Sequence, residues 1–179
     1  MTDHFTKILH LTMLNEDSTY ELEGFKLHKV ADDSGGLTYA GITKNNFPRW
    51  RGWEYIERGE MELADKLIAP FYKLQFYDKV RGDELNTFGK AFTLFDFAIN
   101  RGARTSIKLA QLAVGCPIDG KVGPITVKAI NDMPNDEFCS NYCVIKIKSY
   151  AKICDNKRSQ KKFLHGWLNR SLKVLELTT

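Results

Sequence analysis

A chain of 179 residues is long enough to bury a substantial core as one domain, or as one domain with two lobes. Its 43% hydrophobic content, 12% aromatics and only 5 prolines exclude a disordered or low-complexity chain. The net charge of +4 is uneven: 12 Lys and Arg stand against 16 Asp and Glu in residues 1–100, and 14 against 6 in residues 101–179. A basic half of that kind attracts nucleic acid, an anionic membrane or an anionic polymer, or is a solvated lysine-rich surface.

Phe5, Ile8, Leu9, Thr12 and Met13 fall on one stripe at helical spacing and predict an amphipathic helix from Asp3 to about Asn15. Glu16 ends it, where the negative end of the helix dipole disfavours a charged carboxylate. Asp3, Lys7 and His10 break the layout of a signal peptide, so the chain is expected to be made in the cytoplasm without one. Residues 19–28, TYELEGFKLH, alternate on both sides of Glu23-Gly24 and predict a β-hairpin with Glu21 opposite Lys26. Next, ADDSGGLTYAGIT (31–43) crowds two acids and a double glycine together. Glycines allow tight turns or close approach to a ligand, while Asp32-Asp33-Ser34-Gly35 also suits an acidic turn.

Pro48 to Trp53 reads as a loop holding Trp50 and Trp53 between arginines, rings suited to stacking on sugars or bases, or to capping the core. Residues 59–68 predict an amphipathic helix stopped or restarted by Pro70, followed by another with Phe71, Leu74 and Phe76. From Phe88 to Ile99 apolar residues leave no wide polar stripe, which predicts a helix buried all round. It is too short for a bilayer, which needs roughly 20 apolar residues, and Gly102 supplies its C-terminal stop. Ser106–Val114 predicts a helix, 116–126 turns, and Pro124 the first turn of another helix to Asn131. A helix over 136–153 follows, with Phe138, Tyr142, Ile145 and Ile153 apolar, then a polar connection. The last, 160–176, places Phe163, Trp167, Leu168, Leu172 and Leu175 on one face. Cys116, Cys139, Cys143 and Cys154 lack paired metal-ligand spacing and are expected as free thiols, Cys139 and Cys143 on a packed helix face. His4, His10, His28 and His165 show no ligand spacing either, so no metal or cofactor is expected. The fold class is mainly α (α+β): a helical domain around a buried central helix, with a small N-terminal β-hairpin.

Taken in order, the helix ending in Glu16, DDSGGLTYAGIT, FDFAINRG, AQLAVGCPIDGKVGPIT and the GWLNR of residues 166–170 resemble glycoside hydrolase family 108. These are N-acetylmuramidases found largely in phage endolysins and in bacterial secretion-linked lysozymes, and the resemblance covers most of the chain. It implies a lysozyme-like fold, with residues 1–100 as catalytic lobe and 101–179 as peptidoglycan-binding-like lobe of one compact unit. It further implies hydrolysis of the β-1,4 bond between N-acetylmuramic acid and N-acetylglucosamine by a monomer. Such an enzyme has no membrane anchor and no nucleic-acid partner, and acts on the periplasmic wall after release. The family's catalytic glutamate ends the first helix and is followed by two glycines. Here Glu16 takes that place but precedes Asp17-Ser18, residues 19–28 look like an insertion, and Glu23, followed by Gly24, is the rival. Asp32 or Asp33 is the implied second carboxylate, and Thr38 the residue that positions water. Tyr39, Trp50, Trp53 and Asn100 are expected to bind substrate. Three other readings compete: a lytic transglycosylase using the same glutamate, a non-catalytic wall-binding module, and a nucleic-acid binder stacking bases on Trp50 and Trp53.

Overall fold

The stripe that predicts the first helix is buried in the computed structural model: Phe5, Ile8, Thr12 and Met13 are each at most 4% exposed. The structure describes residues 3–16, 25, 27–29 and 36–179, with the side chains of residues 3, 15, 16, 28 and 29 left out. Packing divides them into two compact units, Thr6–Gln75 and Thr2–Phe5 with Phe76–Thr179.

The first unit takes all but the first turn of helix α1 (Asp3–Glu16). Strands β1 (Leu27–Lys29), β2 (Leu37–Tyr39) and β3 (Ile42–Thr43) form an antiparallel sheet in that order. The hairpin expected over 19–28 falls mostly outside the described residues. Its Leu27 and His28 belong to β1, where they stand opposite Tyr39 and Thr38. Tyr39 stands opposite Ile42, so Ala40-Gly41 is a two-residue turn with φ of 49° and 75°, the doubly positive pair that a right-twisted hairpin favours. The Tyr72 hydroxyl donates to the Ala40 carbonyl at 2.7 Å. A Cβ on Gly41 would lie 2.7 Å from that hydroxyl oxygen, so both φ and space require glycine there.

Three short helices follow, α2 (Gly52–Glu57), α3 (Met61–Asp65) and α4 (Ile68–Tyr72). Two expectations need correction here. The stretch read as a loop ends inside α2, which buries Trp53 and Ile56. The single helix over 59–68 is two pieces, and Pro70 is the third residue of α4, where the N–H it lacks has no partner within the helix.

The second unit is built on α5 (Phe88–Arg101), whose residues Gly89 to Ala98 are all buried. The Lys90 N–H donates to the Thr87 hydroxyl at its N-cap, and Gly102, at φ 85°, ends it. Helices α6 (Ala103–Ala113), α7 (Pro124–Asp132), α8 (Asn135–Asn156) and α9 (Lys161–Glu176) follow. α5 packs against α6, α8 and α9, and α8 against α6 and α9. The face expected of α9 is corrected: Phe163 and Leu172 are 45% and 49% exposed, while Ser171 and Val174 are buried. Ser171 closes its hydroxyl on the Trp167 carbonyl at 2.7 Å, which satisfies it in the buried seam. Cys139, Cys143 and Cys154 are buried free thiols, and Cys116 is half-buried. Burial pushes the Cys139 and Cys143 thiols up, which keeps them unreactive.

Candidate active site

Glu16 is the last residue of α1. Its side chain, Glu23, Asp32 and Asp33 lie outside the described residues. Along α1, Leu9, His10 and Met13 line a cavity of about 250 Å³ with Phe25, Asp65 and Ile68. Asp65 accepts a hydrogen bond from the Tyr39 hydroxyl at 2.6 Å. Burial first, then this bond and the charge of Asp65, push the Tyr39 phenol well up. Asp65 and its partner are 26 residues apart, and no spacing in the sequence announces them.

Alternation along β2 puts Thr38 and Tyr39 on opposite faces of the sheet. On one face Tyr39 and Ile42 are buried. On the other Thr38 stands across from Thr43, and the hydroxyl oxygens of both are buried without a hydrogen-bond partner among the described residues. The expected aromatic residues are brought together. Trp50 stacks on Tyr39 at 6.4 Å between centroids and meets Trp53 edge to face at 5.2 Å. Trp53 is 3% exposed and its Nε1 donates to the Phe47 carbonyl at 2.9 Å, so it holds the loop. Trp50 is half-exposed, with a buried Nε1 that has no partner among the described residues. Gly52 makes room for it, since a Cβ there would lie 2.3 Å from the indole.

Asn100 belongs to the second unit, at the end of α5, and accepts from the Tyr150 hydroxyl at 3.1 Å. In the same unit the motifs FDFAINRG and GWLNR meet: Arg170 Nε lies 2.7 Å from Asp96, and Lys146 Nζ lies 3.8 Å from it. Burial pushes the Lys146 ammonium down while Asp96 opposes that shift. Lys90, also buried, donates to the Met133 and Asn131 carbonyls at 2.7 and 3.2 Å, the favourable place for a cation at the end of α7. The AQLAVGCPIDGKVGPIT stretch is pinned by Gln111, whose Nε2 donates to Asp119 at 2.7 Å and the Lys121 carbonyl at 3.0 Å. Its Oε1 accepts from the Gly120 N–H at 2.9 Å. Among the described residues no cluster of His, Cys, Asp and Glu could hold a metal ion. No helix among them is long and apolar enough to cross a membrane.

Comparison with known proteins gives two family matches. The glycosyl hydrolase 108 model matches residues 17–102, and the predicted peptidoglycan domain matches residues 105–172. No curated protein matches the chain. Among solved structures it is similar to the one described as the structure of Brucella abortus SagA, at 24% identity, with 97% of this chain and 92% of that chain covered and a TM-score of 0.76. At that identity the likeness shows a shared fold. Residues 17–102 thus form a glycosyl hydrolase 108 segment, a glycoside hydrolase region joined in this chain to a predicted peptidoglycan domain.

Proposed function

We propose that the chain is a muramidase that hydrolyses the β-1,4 bond between N-acetylmuramic acid and N-acetylglucosamine in bacterial peptidoglycan. One observation carries this reading: a glycosyl hydrolase 108 segment at 17–102 is followed at once by a predicted peptidoglycan domain at 105–172. Glycoside hydrolysis uses one carboxylic acid to protonate the leaving oxygen and a second carboxylate to activate water or attack the sugar. The acid is Glu16 or Glu23. Glu16 has the support of its place at the end of α1, where the dipole opposes ionisation. Glu23 has the support of lying inside the matched span, which begins one residue after Glu16, and of the glycine that follows it. Asp32 or Asp33 supplies the second carboxylate, and Thr38 positions water. The buried Thr38 hydroxyl, without a partner among the described residues, supports that role, because leaving such a group unsatisfied costs about 1–3 kcal/mol and a bound water removes the cost. The enzyme acts as a monomeric endolysin, made in the host bacterial cytoplasm and reaching the periplasmic wall after release.

The test compares Glu16→Gln and Glu23→Gln, each of which keeps the side-chain shape and removes the proton. With the two matched for thermal stability, murein turnover is measured and the soluble products are weighed by mass spectrometry. One variant should lose ~10²–10⁴-fold, and the other should change little. If both turn over murein normally, neither glutamate is the acid; if the unsubstituted protein fails to turn over murein or leaves anhydro sugars, the hydrolase reading fails, the latter outcome identifying a lytic transglycosylase.

A further inference from the structure

The first unit contains an apolar cleft of about 480 Å³, walled by Phe47, Pro48, Trp50, Pro70, Phe71 and Leu74. The wall is an interlocked aromatic layer: Phe47 meets Phe71 edge to face at 4.8 Å, and Trp50 meets Phe71 at 6.0 Å. Arg49 and Arg51 also line it. Both are exposed, and neither side chain makes an ion pair or hydrogen bond among the described residues. Among the described residues that line it there is no Asp or Glu. Its size falls within the roughly 300–1,000 Å³ of ordinary ligand clefts.

Two unpaired guanidinium groups over an aromatic floor complement a ligand with small apolar groups and more than one carboxylate, since each guanidinium can take a carboxylate through two parallel bonds. A neutral sugar chain is a poorer match, because its many hydroxyls need partners and the described residues of the lining add to the arginines the side-chain amides of Asn46 and Gln75. In peptidoglycan, carboxylates and methyl groups occur together on the short peptides that substitute the glycan. We propose that this cleft binds the carboxylate-bearing stem peptide of peptidoglycan, so that the enzyme grips the peptide as well as the glycan it cuts. The proposal rests on the peptidoglycan reading above.

The full-length protein is titrated with N-acetylated L-Ala-γ-D-Glu-L-Lys-D-Ala-D-Ala and followed by intrinsic tryptophan fluorescence. Saturable binding is expected, weaker by about tenfold or more for Arg49→Glu/Arg51→Glu and for the same peptide with its carboxylates amidated. No saturable binding, or equal affinity across those three cases, overturns the proposal. Loss of phosphatidylglycerol-vesicle binding in the double variant, with no peptide binding by the unsubstituted protein, also overturns it and makes the cleft a membrane site. Murein turnover measured in parallel separates the two readings. A protein that lyses murein but ignores the peptide refutes the cleft alone, whereas one that binds the peptide and leaves the glycan intact refutes the muramidase reading alone.

Discussion

Asp96 stands in the buried stretch of α5 and is 1% exposed. Removing a carboxylate from water costs several kcal/mol unless charges and hydrogen bonds compensate it. Arg170 at 2.7 Å and Lys146 at 3.8 Å provide that compensation. Arg170→Met should leave Asp96 with only the more distant ammonium and destabilise the fold by about 3–5 kcal/mol, read as a lower urea midpoint. Adding Asp96→Leu should recover most of the loss, because the cost comes from the stranded charge. An unchanged midpoint in the single variant would show that the pair contributes no net stability. In the sequence Asp96 is visible only as an interruption of an apolar run. Its partner is 74 residues away, and the family resemblance marks both motifs without indicating that they touch. Lys90, Gln111 and Asp65 are silent for the same reason: each is explained by a partner that the fold, and not the local spacing, brings to it.

At the scale of elements, legibility follows length and periodicity. α5 and α8 are long enough for apolar spacing to reveal them, and α5 ends at Gly102, where the sequence puts its stop. α2, α3 and α4 have 6, 5 and 5 residues. Helices that short are marginal in isolation and exist through packing, so buried Trp53 and Ile56 in α2, Ala64 in α3 and Ile68 in α4 make them, and the local pattern shows helix near α3 and α4 without showing where it breaks. α9 illustrates a subtler failure: its period is legible, but apolar residues lie on two sides, and only tertiary packing chooses between them. Leu172→Asp, on an exposed position, should change stability by no more than about 0.5 kcal/mol. Val174→Asp would strand a charge in the seam and should cost several kcal/mol. Thermal unfolding of the two variants decides the register. If Leu172→Asp proves the more damaging, the seam runs along the face that hydrophobicity alone suggests.

At the scale of the whole molecule, ionisable groups make two predictions. Burial raises the phenols of Tyr39, Tyr142 and Tyr150, the charges of Asp65 and Asp96 adding to it, although the Ser106 hydrogen bond opposes it at Tyr142. The unfolded chain loses these protons near pH ~10 while the folded chain keeps them, so stability falls as pH rises further. Lys90 and Lys146, lowered by burial, act in the opposite sense, but only up to about pH 10.5, where the unfolded lysines also deprotonate. The urea midpoint should therefore decline above that pH, less steeply in Tyr142→Phe, and a flat profile would sink the argument. The second prediction concerns the basic half, in which residues 101–179 carry 14 Lys and Arg against 6 Asp and Glu. Lys146 is buried and Arg170 is engaged with Asp96, but Lys161 and Lys162 on α9 are exposed. Exposed charges act on an anionic wall through solvent, and at 0.1 M salt their reach shrinks to about 10 Å. Binding to purified murein should weaken steadily as salt rises, and Lys161→Glu/Lys162→Glu should flatten that dependence more than it weakens binding at high salt. If binding ignores salt, the positive excess serves solubility, and the hold on the wall comes from shape and direct contacts instead.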